Sequence, residues 1–244
     1  MKKILSILLT ILVVLGLAAC KRESGTIVSG DPKAQEILEQ IEEMEEVLSG
    51  GWTINEEFDS SACSEEEIEI LNKALEGFVG QGFTPIAVLG TQVVVGTNYM
   101  YLCEGTTVTA EPQKALKIVV VYKDLEGNAT INDVYDFNIE DHLEDNDEQS
   151  EELAGGWTIN ENILTSESEL FDKAFEEFVG AEYKPVVCLA DQLVAGFNHA
   201  YLAIQTLVTA EPATRLAIVN IYEDLDGNCS INTIHVLNLT SLLD

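Results

Sequence analysis

Basic side chains are scarce in this sequence. Twelve lysines and arginines stand against 43 aspartates and glutamates, and the formal net charge is −31 over 244 residues. A surface that acidic has no electrostatic means of holding a phosphate backbone, which argues against nucleic acid as a partner. Five cysteines are too few and too irregularly placed for a disulfide scaffold or a structural zinc site. The three histidines, His142, His199 and His235, fall in no metal-ligand spacing. Apolar residues are not scarce: at 46% of the chain they exclude wholesale disorder despite the charge. The length leaves room for two ordinary domains.

The longest apolar run, Ile4 to Ala19, follows Lys2 and Lys3. It has the charged start and greasy middle of a secretory signal, and at about 16 residues it is short of the roughly 20 a spanning helix needs. It ends Leu17-Ala18-Ala19-Cys20, which resembles the lipobox of bacterial lipoproteins. That resemblance implies cleavage after residue 19 and acylation of Cys20. The protein is then expected on the extracytoplasmic face of a cell membrane, held by its lipid; more than one acyl chain is needed for stable anchoring. Residues 20–49 read as a tether followed by a helix capped by Asp31, with Pro32 at its first position and Gly50 past its end. Ile37, Ile41, Met44 and Leu48 form its apolar stripe.

Everything after that is one unit written twice. Gly50-Gly51-Trp52-Thr53-Ile54-Asn55 returns as Gly155-Gly156-Trp157-Thr158-Ile159-Asn160, and from Leu71 the copies align at a constant offset of 100 residues. The division is therefore residues 50–140, an acidic linker at 141–154, and residues 155–244. Each copy announces a helix with a capping box, Ser64 with Glu67 and Ser166 with Glu169. Ile68, Leu71, Leu75 and Phe78 should form the buried face of the first helix, with Phe171, Phe175 and Phe178 as counterparts. Strands follow around Ile86–Leu89, from Tyr99, around Ile118–Tyr122 and around Ile131–Phe137. The expected class is α+β: two tandem domains, each one helix packed on a four- to five-stranded antiparallel sheet.

Between the second and third strands lies Gln92-Val93-Val94-Val95-Gly96, repeated as Gln192-Leu193-Val194-Ala195-Gly196, with Asn98 and Asn198 two residues on. This resembles the Gln-x-Val-x-Gly motif of the cystatins, inhibitors of papain-like cysteine proteases. The paired glycines upstream (Gly50 and Gly51, Gly155 and Gly156) stand where cystatins carry an N-terminal glycine. The resemblance implies the cystatin fold in both copies, with these glycines and hairpins seated in the protease cleft. The implied partner is a papain-like cysteine protease, inhibited reversibly and noncovalently. No catalytic residue, metal or cofactor is then required of the chain. A rigid hairpin tip suits such a role because little ordering entropy is lost on binding. In this expectation Val94 and Val95 supply apolar contact and Gln92 an uncharged hydrogen bond.

Plainer readings stand beside these. The hairpin glycines serve backbone geometry in any tight turn, and the fold could equally form a non-inhibitory surface module for another protein or ligand. Trp52 and Trp157 read as core plugs. The turns Asp124–Asn128 and Asp224–Asn228 lack the Pro-Trp pair of a cystatin's second loop and present an acidic tip. They fail as calcium loops, because Tyr135 or His235 stands where a bidentate glutamate is needed. Cys188 and His199 are the one cysteine–histidine pair that strand pairing could bring together.

Overall fold

A computed structural model of the chain describes residues 51–56, 58, 62–143, 155–160, 168–176, 178–208 and 213–243. The signal segment, Cys20, the tether, the N-terminal helix, Gly50, Ser166 and most of the acidic linker lie outside those residues. Among the described residues no helix is long and apolar enough to cross a membrane.

The first repeat runs β1 (Thr53–Ile54), α1 (Glu65–Ala74), β2 (Gln81–Val94), β3 (Gly96–Thr107), β4 (Lys114–Lys123) and β5 (Ala129–Asp136). The second runs β6 (Trp157–Ile159), α2 (Glu169–Phe175), β7 (Ala181–Val194), β8 (Gly196–Leu207), β9 (Thr214–Glu223) and β10 (Cys229–Val236). Each forms a five-stranded antiparallel sheet in sequence order. Proline cannot donate to a sheet ladder, and both Pro85 and Pro185 sit beside a register shift that relieves the loss.

The helix starts follow local chemistry, with one correction. The Ser64 hydroxyl accepts from Glu67 N while the Glu67 carboxylate accepts from Ser64 N, at 3.3 and 2.7 Å. In the second repeat the cap is Ser168, not Ser166; its hydroxyl accepts from Phe171 N at 3.1 Å. The buried face of α1 is Ile70, Leu71 and Ala74, whereas Ile68 and Phe78 are exposed. Phe78 falls outside the expected face because the helix has already ended at Leu75.

Each sheet is covered on both faces. On one side α1 packs over Phe83, Val88, Tyr101, Cys103 and Val119, and α2 over Cys188, Tyr201, Ala203 and Val219. On the other side the two sheets meet in a common core containing Leu89, Met100, Leu102 and Ile118 of the first and Leu189, Leu202, Leu216 and Ile218 of the second. Burial on both faces is why β4 reads as a continuous apolar run instead of an alternating one. Contacts between the sheets are reciprocal: β1 meets β9, and β6 meets β4. Since β6 and β9 are the counterparts of β1 and β4, the repeats pack as a symmetric dimer would. Trp52 and Trp157 are half-buried against this shared core, as their plug role requires. A 3-10 turn at Ile139–His142 follows β5, and Ile139 and Leu143 insert into the same core. Residues 141–143, expected in the linker, thus belong to this turn and its end, and the rest of the expected linker lies outside the described residues.

Candidate functional site

In each repeat the sequence motif forms the tip of a long hairpin. Register pairs Gln92 with Asn98, Val93 with Thr97 and Val94 with Gly96, and leaves Val95 alone at the turn. Gly96 has φ +118° and Gly196 φ +122°, a region that side chains of L-residues disfavour. A Cβ on Gly96 would also press into Lys123 O and stand 2.8 Å from the Tyr122 ring. Glycine is thus required twice over, by conformation and by space.

Hydrogen bonds stiffen the tip. Asn98 Nδ2 donates to Gln92 Oε1 at 2.7 Å, and Asn198 Nδ2 to Gln192 Oε1 at 2.8 Å. The Tyr122 hydroxyl donates to Val95 O, and the Tyr222 hydroxyl to Ala195 O at 2.5 Å. The glutamine carbonyl expected to reach toward a partner is therefore used inside the hairpin, because it lies directly opposite an asparagine amide. The apolar contact surface also differs from expectation. Val95 is 79% and Val93 54% exposed, while Val94 is half-buried. Strand alternation explains this, since Val93 and Val95 share a face that Val94 does not. Leu193 and Ala195 are the exposed counterparts in the second repeat, joined there by exposed Phe197 in place of half-buried Thr97, and Val194 is half-buried.

Two further segments flank the tip. Gly155 N donates to Leu193 O at 3.1 Å and Gln192 Nε2 donates to Gly155 O at 2.8 Å, so the paired glycines lie along the hairpin. Gly51 precedes the pairing of Thr53 with Thr91 and is exposed, as are Gly155 and Gly156. On the other flank the β4–β5 turn begins at Asp124, immediately after Lys123, whose carbonyl abuts Gly96. Asp124 Oδ1 accepts from Glu126 N and Asn128 N, and its other oxygen from Asn128 Nδ2. The hydrogen bonds from Asn128 hold the Asp124 carboxyl below its usual range, and Asn228 does the same for Asp224. This internal cage projects Leu125 outward, 83% exposed, and Leu225, 84% exposed. The turn is therefore not simply acidic. It offers one leucine, which the sequence signalled only as an apolar residue inside an otherwise polar turn.

In the second repeat the arrangement is an edge of three parts: the glycine pair at Gly155, an apolar hairpin tip and a leucine-bearing turn. The first repeat shares the tip and the turn, with Gly51 exposed ahead of β1 and Gly50 outside the described residues. Such an edge is suited to filling a groove.

The cysteine–histidine pair does come together. Cys188 on β7 and His199 on β8 flank Asp191, with His199 Nδ1 2.7 Å from Asp191 Oδ1 and Cys188 Sγ 3.7 Å from the same oxygen. Burial and the Asp191 charge push the Cys188 thiol up to about 12, so it is held as a thiol rather than as a nucleophilic thiolate. Burial opposes a charge on His199, but the hydrogen bonds and charges of Asp191 and Glu223 outweigh it and raise its pKa.

Comparison of the chain with models of known families, with curated proteins and with solved structures returned no match.

Proposed function

We propose that the chain is a lipid-anchored extracytoplasmic lipoprotein whose tandem cystatin-like repeats bind papain-like cysteine proteases and inhibit them reversibly. The single observation that carries this reading is the three-part edge. In the second repeat Leu193 and Ala195 stand exposed on a hairpin whose shape hydrogen bonds fix in advance, with Gly155 along one side and Leu225 on the turn at the other, and the first repeat keeps the same tip and turn. A protease cleft is a narrow concave slot. A wedge ordered before binding keeps most of the contact free energy that a flexible segment would lose on ordering. The cystatin resemblance implies that such a wedge does not present a peptide bond in line with the protease's nucleophilic thiolate, so the chain is not cleaved. The lipobox resemblance at Cys20 supports the anchor.

Titration of papain with the purified chain, followed with a small fluorogenic peptide substrate, tests the reading. The expected result is competitive inhibition that is recovered on dilution, with the chain left intact. Absence of inhibition at 100 µM, about 5 kcal/mol of binding free energy on the usual scale, would leave the edge as a docking surface for some other partner.

A further inference from the structure

The second repeat carries a side-chain cluster that the first lacks. Cys188 Sγ, an Asp191 carboxylate oxygen and a His199 ring nitrogen all lie within 4.8 Å of one another. Ligand atoms around a tetrahedral zinc are about 3.3–3.8 Å apart, as follows from metal–ligand distances of about 2.0–2.3 Å. A small rearrangement of the three side chains would bring their ligand atoms to that spacing. The sequence hid the cluster because Cys188 and Asp191 are three apart, a spacing that puts residues of a regular strand on opposite faces. A register shift between Cys188 and Ala190 adds a residue and turns both toward His199.

We infer that Cys188, Asp191 and His199 form a binding site for a divalent transition metal, zinc by preference. The donor set decides the metal class. One sulfur, one imidazole nitrogen and one carboxylate oxygen match zinc and its neighbours, while calcium and magnesium take oxygen alone. The surroundings match as well. With Nδ1 on the metal, His199 Nε2–H points at Glu223 Oε2, 3.4 Å away, the carboxylate–histidine–metal arrangement that fixes a ligating ring. Asn160 Nδ2 donates to Cys188 Sγ at 3.2 Å, which favours the thiolate form. Binding releases the thiol proton of Cys188 to solvent, and the thiolate and the Asp191 carboxylate neutralise the ion. Asp191 and Glu223 are each about one-third exposed, so solvent reaches the fourth position. In the first repeat the same four strand positions hold Val88, Thr91, Tyr99 and Lys123, which offer no comparable set. This inference rests on the donor atoms and is independent of the protease reading.

The test is a Co2+ and Zn2+ titration of the reduced full chain at physiological salt, with millimolar Mg2+ present to occupy the acidic surface. One equivalent of Co2+ should give tetrahedral d–d bands with a sulfur-to-cobalt charge-transfer band, and Zn2+ should displace it. Cys188→Val and His199→Tyr place the first repeat's own residues at these positions, so the strands should accept them; both should abolish the charge-transfer band. Glu223→Gln should weaken Zn2+ binding about 10- to 100-fold. Cys229→Ser should leave both metals bound as before. Absence of the charge-transfer band in the unmodified chain, or an unchanged Zn2+ isotherm in Cys188→Val, overturns the inference.

Discussion

The two repeats agree where the backbone is constrained and differ where it is not. Both keep a positive-φ glycine at the hairpin tip, the Gln–Asn pair behind it, and a tyrosine hydroxyl bonded to the residue before the glycine. Both keep an aspartate-caged turn with an outward leucine. Beneath the helices they diverge. The first repeat fills that space around Leu71, Val88 and Tyr101, and the second stacks Phe171 on Phe175 at 4.5 Å with Tyr183 alongside. Two versions of one fold thus hold the same exposed edge on differently composed supports.

The largest effects should come from the core that the repeats share. Leu89 and Leu189 are both fully buried there, and truncating either to alanine should cost about 2–5 kcal/mol. Because the core is common, calorimetry should show one transition containing both repeats, lowered by either substitution. Two transitions, each moved by only one of the variants, would mean that the repeats are energetically separate.

Next come the tip glycines. Gly96→Ala and Gly196→Ala each impose an unfavourable φ and a clash with a neighbouring carbonyl, and each should destabilise by more than about 1 kcal/mol in denaturant melts. Equal losses in the two repeats would support the view that the tips are equivalent. The helix caps should give less. Ser64→Ala should cost about 1 kcal/mol, and Ser168→Ala at least as much, since the Ser168 hydroxyl is also hydrogen-bonded to the buried Tyr201 hydroxyl at 2.9 Å.

Smallest is a pH effect from a histidine that has no histidine counterpart in the second repeat. His142 stacks on Phe137 and meets His235 edge-on, and its counterpart in the second repeat is Leu242. Burial and the nearby His235 depress the pKa of His142, against an opposing pull from Asp141. A histidine with a depressed folded pKa contributes stability above its unfolded value, near 6.5, and loses that contribution as pH falls through the folded one. Melting temperatures compared at pH 7.5 and 5 should therefore fall less in His142→Leu than in the parent chain. An equal fall in both chains would remove His142 from the account.

Much of this was legible in the residues. The duplication, the Ser64 capping box, the helix-then-strands order and the hairpin at Gly96 all follow from local patterns that tertiary contacts do not override. What escaped depends on distant partners. Nothing in a single strand says that Leu89 and Leu189 bury each other's sheets, because an apolar run is equally compatible with a helix or another sheet above it. Ser166 and Ser168 are equally good caps by type, and only the path of the chain into α2 chooses between them. Leu125 was lost among acidic neighbours because its exposure depends on the Asp124–Asn128 cage. The Cys188–Asp191–His199 cluster depends on a strand irregularity with no signature of its own.

The most direct measurement is the papain inhibition constant of the chain against that of a Val95→Glu, Ala195→Glu double variant. Both positions are exposed, so folding stability should change by less than about 0.5 kcal/mol per site. A buried charge at the centre of an interface should cost about 2 kcal/mol or more, roughly thirtyfold or greater in affinity. The account predicts inhibition by the parent chain and its loss by at least that factor in the variant, with an unchanged melting temperature. An inhibition constant identical in the two proteins would contradict it.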